Sequence, residues 1–197
     1  MAPVSGVLTA AVGLDRPDAG SLLAIEQHSA QGWASPVLVG QTVVNGPPRI
    51  VGLTGGTEDA LVVFQGPDGT LASIAHDATT LAWSSPRELE VTPSDAPSLA
   101  PLPGGAALLV TRDPQMNPYV TLYGGPSAGW TPQTLPNAVQ TPTGPLTLAS
   151  NACGNAIVGY PFAEGVATFP WSGGAWGTAK VFPVIEAPQF VAAAMRP

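Results

Sequence analysis

Cysteine is nearly absent. Cys153 stands alone in 197 residues, so no intrachain disulfide can hold the fold. Basic side chains are almost as scarce: six Lys and Arg against thirteen Asp and Glu leave a net charge of −7. No cluster of cations exists to neutralise phosphates, which excludes nucleic acid as a partner. The same shortage argues against an anionic membrane surface. No apolar run approaches the roughly 20 residues of a membrane span, so no membrane insertion is expected. The stretch from Met1 to Ala11 lacks the basic start of a secretory signal. That points to the cytoplasm, or to a chain already released from its leader. Convincing helical periodicity is missing throughout.

The residues that carry common chemistry are also sparse. His28 and His76 are the two histidines. They cannot make a three-histidine metal site, and no His-x-x-x-His or Cys-x-x-Cys pair occurs, so no metal and no cofactor is expected. His76-Asp77 could be a base and its orienting acid, but neighbours in a strand point to opposite faces. Gly-x-Ser-x-Gly is absent. The glycine-rich Gly52-Leu-Thr-Gly-Gly56 lacks the lysine of a phosphate-binding loop. Arg16, Arg49, Arg87, Arg112 and Arg196 are scattered rather than gathered around one carboxylate, as a sialidase would need. Glu58, Asp59, Asp68 and Asp77 offer carboxylates for glycoside hydrolysis, yet they are expected in solvated loops. Cys153, in Ser-Asn-Ala-Cys-Gly-Asn, has no basic neighbour to activate it and reads as a turn residue. The expectation is a protein that is not an enzyme.

What the chain does have is punctuation and a period. Glycine and proline number 23 each, and they break apolar runs at regular places, as turns do. Trp33, Trp83, Trp130 and Trp176 recur at intervals of 50, 47 and 46 residues. Each opens a short segment, such as Trp83-Ser-Ser-Pro-Arg-Glu-Leu. A period of this size is the mark of a propeller or array. Within each period, short strands alternate with turn residues. Strands are expected at 7–12 and 22–27; at 49–53, 60–64 and 71–76; at 98–102, 107–111 and 119–123; and at 145–149, 156–160 and 166–170. Each group is followed by its tryptophan strand.

The first group lacks an initial strand, whereas Ala187-Pro-Gln-Phe-Val-Ala-Ala-Ala-Met195 looks like an initial strand with nothing after it. The predicted fold is therefore all-β: a four-bladed β-propeller closed by the C-terminal strand, which completes the N-terminal blade. The blades are 4–45 plus 187–195, 46–94, 95–140 and 141–186. An eight-bladed dimer that exchanges these strands is the alternative, so the chain is a monomer or a dimer. Long side chains, the tryptophans among them, are expected to pack between neighbouring blades.

The segment Asp68-Gly-Thr-Leu-Ala-Ser-Ile-Ala-His-Asp, followed by Ala-Trp83-Ser-Ser-Pro-Arg-Glu-Leu, resembles the repeat of β-propeller lectins of the fucose-binding and tectonin kinds. Traces recur at Gly20-Ser-Leu-Leu and Gly32-Trp33-Ala-Ser-Pro-Val-Leu-Val-Gly40. The resemblance covers the second half of each repeat. Those lectins have five to seven blades and more aromatic residues in each. The resemblance implies sugar binding in clefts between blades, with an apolar sugar face on an aromatic ring and a few fixed polar groups around it.

Candidate ligand-binding residues are His76, Tyr123 and Trp171, with the repeat tryptophans Trp83 and Trp130. Seven residues before each repeat tryptophan stand Glu26, His76, Tyr123 and Phe169, a set too varied for one repeated site. Trp171 falls outside the repeat and is the aromatic residue most worth testing. The partner is accordingly a glycan, or a protein if the chain is a structural or interaction module of a larger assembly.

Overall fold

Apolar runs bracketed by glycine, proline and aspartate become antiparallel strands, as their spacing requires. The computed structural model describes residues 2–4, 7–16, 20–29, 32–33, 35–136, 141–183 and 191–195. Over these residues the chain is all-β. It divides into two compact units, residues 1–92 and 93–197, and each holds two antiparallel sheets.

In the first unit, one sheet is built from β1 (Ala2–Val4), β2 (Val7–Arg16), β3 (Gly20–Ser29), β4 (Gly32–Trp33) and β5 (Val37–Val43). The other is built from β6 (Arg49–Gly52), β7 (Glu58–Gln65), β8 (Leu71–Asp77), β9 (Ala82–Trp83) and β10 (Arg87–Glu88). In the second unit the third sheet comprises β11 (Ser98–Leu102), β12 (Ala106–Arg112), β13 (Pro118–Tyr123) and β14 (Trp130–Gln133). The fourth comprises β15 (Thr147–Ser150), β16 (Ala156–Phe162), β17 (Gly165–Ser172), β18 (Ala175–Trp176) and β19 (Lys180–Pro183).

Two expectations need correction. The first sheet has its own initial strand: β1 pairs with β2, Val4 opposite Val7. That is the place assigned to the C-terminal segment. A two-residue link between Val4 and Val7 brings these short segments together locally, so no distant strand is needed. Residues 184–190, which include the start of that segment, lie outside the described residues. Residues 191–195 form no strand. Val191 instead lies in the second unit, its Cγ1 3.4 Å from where a Cβ on Gly159 of β16 would sit.

The second correction concerns the tryptophan strands. In three sheets each is split in two: β4 and β5 both pair with β3, β9 and β10 with β8, and β18 and β19 with β17. Pro36 and Pro86 lie in two of the breaks. Proline has no N–H to give a ladder, which interrupts pairing there.

Each unit closes by burying one sheet against its neighbour. In the first, Leu23, Ile25 and Val44 pack with Val62, Phe64, Ala72 and Ile74, and Val39, Ile50 and Trp83 lie against the cluster. In the second, Leu108, Val110 and Val120 pack with Val158, Tyr160, Phe162, Phe169 and Trp171. The rings of Tyr160 and Phe169 stack there at 5.6 Å. Burying a side chain such as Phe169 contributes about 2–3 kcal/mol. Asp95 ties the second unit together at its edge. Its carboxylate accepts from Arg112 Nε at 2.8 Å and from Thr111 Oγ1 at 2.9 Å.

Gly165 shows how tightly β19 lies on β17. A Cβ there would collide with the carbonyl oxygen of Phe182, a backbone atom, so the strand would have to shift. Gly165→Ala is expected to destabilise the second unit by about 1–3 kcal/mol, the usual cost of overpacking. A urea unfolding curve with an unshifted midpoint would contradict this.

Candidate functional site

The site begins with a cross-strand pair. The last ring-bearing residue of the third strand stands directly opposite the repeat tryptophan in all four sheets: His28 opposite Trp33, His76 opposite Trp83, Tyr123 opposite Trp130 and Trp171 opposite Trp176. The equivalent set is thus His28, His76, Tyr123 and Trp171, not the set containing Glu26 and Phe169. A fixed count back along the chain fails because the hairpin loops differ in length. Trp171 accordingly belongs to the repeat. On the other side, His76, Tyr123 and Trp171 each face an alanine: Ala60, Ala107 and Ala156. A small residue there leaves space for the ring.

The rings touch. Their centroids lie 5.0 Å apart for His76 and Trp83, 5.2 Å for Tyr123 and Trp130, and 4.9 Å for Trp171 and Trp176. All three pairs are tilted or edge-on, the arrangement that aromatic quadrupoles prefer. His76, Tyr123 and Trp171 are each 4% exposed. Trp83, Trp130 and Trp176 are half-buried. Of the five candidate residues, His76 and Trp83 come together in the first unit. Tyr123, Trp130 and Trp171 lie in the second, Tyr123 with Trp130, and Trp171 with Trp176.

His76 is held from behind. Its Nδ1 donates to Asp59 Oδ1 at 2.7 Å. The orienting acid therefore comes from β7, and Asp77 is used elsewhere, accepting from the N–H groups of Thr79 and Thr80. Glu58 and Asp59 sit on a strand and not in a loop. These arrangements fix the imidazole against Trp83 and leave it as a positioning group.

A cavity of about 710 Å³ opens on the free side of Trp83. Val39, Thr42 and Val43 of β5 form one wall. Phe64, Ala72 and the turn from Gly66 to Thr70 form another, and the segment Trp83-Ser-Ser-Pro86 with Glu88 closes it. The cavity thus lies between the two sheets of the first unit. Ser84 Oγ accepts from Ala75 N at 3.0 Å and donates to Ser85 O at 3.1 Å, which orients the segment after the tryptophan. In the turn, Gly69 adopts φ +86°, a left-handed conformation that glycine takes without strain. This turn presents Asp68. Its Oδ1 accepts from Thr70 Oγ1 at 2.7 Å and Thr70 N at 3.0 Å. The hydroxyl bond, followed by the backbone one, holds the Asp68 carboxyl below its ordinary value.

Sequence reasoning missed most of this wall. Ser84, Ser85, Thr70 and Glu88 lie within the segment that carries the lectin resemblance, yet the resemblance assigns none of them a role. The available signals are that resemblance and the Trp-Ser-Ser-Pro break after the repeat tryptophan. Among the described residues, no group of three or more His, Cys, Asp or Glu could hold a metal ion. No described helix is long and apolar enough to cross a membrane.

The fold resembles that of fucose-binding β-propeller lectins. The SapL1 lectin, solved with α-methyl fucoside, matches with a TM-score of 0.59 at 17% identity, over 90% of this chain and 61% of that one. The six-bladed lectin of Aleuria aurantia matches with a TM-score of 0.58 at 13% identity, over 98% and 68%. A triple arginine mutant of AofleA from Arthrobotrys oligospora matches at 0.54 and 16%, over 92% and 58%. The chain therefore spans about three-fifths to two-thirds of the length of these lectins. No protein-family profile matches the sequence, and no curated protein matches it.

Two outcomes test the site's construction. Asp59→Ala removes the acceptor of a buried imidazole N–H and is expected to cost about 1–3 kcal/mol. In a His76→Phe background the same change should cost much less, a coupling that a double-mutant cycle by urea unfolding would read. Second, the Asp68 carboxyl should titrate below 3.8 by NMR and move upward in Thr70→Val. Because its folded value is depressed, its contribution is present above the unfolded value and is lost as pH falls through the folded one. An Asp68 titration unchanged by Thr70→Val would contradict the assignment.

Proposed function

We propose that this chain binds carbohydrate without catalysing a reaction, and that the cavity beside Trp83 is a sugar site. Each sheet is read as one blade. The observation that carries the proposal is a half-buried tryptophan on the wall of an inter-sheet cavity, in a fold shared with fucose-binding lectins. An apolar sugar face would lie against the Trp83 ring, and the hydroxyls of Thr70, Ser84 and Ser85 would bond its oxygens. His76 positions the ring. Tyr123 and Trp171, both buried, are assigned to packing behind Trp130 and Trp176.

The cavity is not repeated faithfully. Glu88 stands opposite Ala72 in the second sheet, and the corresponding position in the fourth sheet, opposite Ala167, is Val181. The proposal is therefore for individual sites with their own preferences, not copies of one site. A protein-interaction module is the second reading. It is favoured by Val181 and Phe182, which are 45% and 53% exposed on β19.

A glycan array with the purified protein should show saturable binding to one sugar class. Trp83→Ala should weaken that binding by about tenfold or more, the equivalent of about 1.4 kcal/mol, while the circular dichroism spectrum is retained. A blank array on folded protein would end the sugar reading and leave the interaction module.

A further inference from the structure

The charged side chains on the cavity wall are all acidic. Among the described residues, Asp68 and Glu88 line it, and no Lys, Arg or His does. Both are exposed. Neither belongs to an ion pair among the described residues, in contrast to Asp59, which meets His76, and Asp95, which meets Arg112.

The strand register explains the exclusion of cations. Arg87 and Glu88 are consecutive on β10, opposite Ser73 and Ala72 respectively. Successive side chains of a strand point to opposite faces. The register that brings Glu88 beside Ala72 on the wall therefore turns Arg87 away. His76 is the nearest imidazole along the chain, but it is buried behind Trp83 with Nδ1 engaged by Asp59. Asp68 is exposed and fixed by the turn, its Oδ1 accepting from Thr70. The acidic wall is also not a requirement of the fold, because Val181 takes the place of Glu88 in the fourth sheet.

We infer that the cavity selects sugars by charge, taking an amino sugar with a free ammonium group ahead of its N-acetylated form and rejecting sugar acids. The inference rests on the sugar-binding reading above. An ammonium group forms charge-assisted hydrogen bonds to a carboxylate. A sugar carboxylate meets like charge instead, a repulsion that salt screens. The net charge of −7 adds to the same field. A neutral sugar experiences neither effect and ranks between the two.

The test is calorimetric titration of the full chain with glucosamine, N-acetylglucosamine and glucuronic acid at about pH 6, where the amine is charged. Glucosamine should bind about three- to tenfold more tightly than N-acetylglucosamine, with glucuronic acid weakest. The spread should narrow at high salt. In the Asp68→Asn, Glu88→Gln double variant, the three affinities should converge to within about twofold. Equal affinities in the unaltered protein, glucuronic acid binding tightest, or a ranking that survives the double variant would each overturn the inference. So would failure of all three sugars to bind. In that case a positive glycan array leaves the sugar reading standing, and a blank array removes both.

Discussion

The outer half of each sheet depends on one cross-strand contact, a ring at the end of the third strand against the tryptophan opposite. In three sheets the contact combines three features. The second strand supplies a small residue, as Ala60, Ala107 and Ala156 do, whereas in the first sheet Leu8 stands opposite His28. The third-strand ring is buried, as His76, Tyr123 and Trp171 are. The tryptophan stays half-exposed, so that its other face is left for the neighbouring sheet or for a cavity. Imidazole, phenol and indole all satisfy the position, because what is needed is a flat group of moderate size and not one particular chemistry. Where the ring carries buried polar atoms the structure provides for them locally, as Asp59 does for His76.

The period of the tryptophans, and with it the all-β class and the position of most strands, was legible in the sequence because turn residues and alternation are local signals. Val7–Arg16, Leu71–Asp77 and Ala156–Phe162 begin at, or within one residue of, the places their apolar runs suggest. Register was not legible. Counting seven residues back from each tryptophan selects Phe169, whereas hydrogen bonding selects Trp171, because the loop between β17 and β18 is shorter than the one between β8 and β9. Nor could alternation reveal β1, whose Ala-Pro-Val has no patterned run and is defined only by its partner Val7–Thr9. The cavity wall was the least legible part. Thr70, Ser84 and Glu88 are ordinary surface residues of one sheet until β5 of the other makes the facing wall.

The two units solve the same packing problem with different side chains. Where the first has Phe64 and Ala72 beside an open cavity, the second has Tyr160 and Ala167 within a filled cluster. In the second unit Trp176 Nε1 is buried without a hydrogen-bond partner, a group worth about 1–3 kcal/mol when left unsatisfied.

The interruption after the repeat tryptophan, present in three of the four sheets, separates two kinds of inheritance. Inward of the break, Trp83 and His76 are bound to a core that punishes most substitutions. Outward of it, Ser84, Ser85, Pro86 and Glu88 sit on a segment with few obligations to that core. Mutations can accumulate there at little cost in stability. A lineage built on this architecture could therefore change what its clefts accept while the scaffold stays constant.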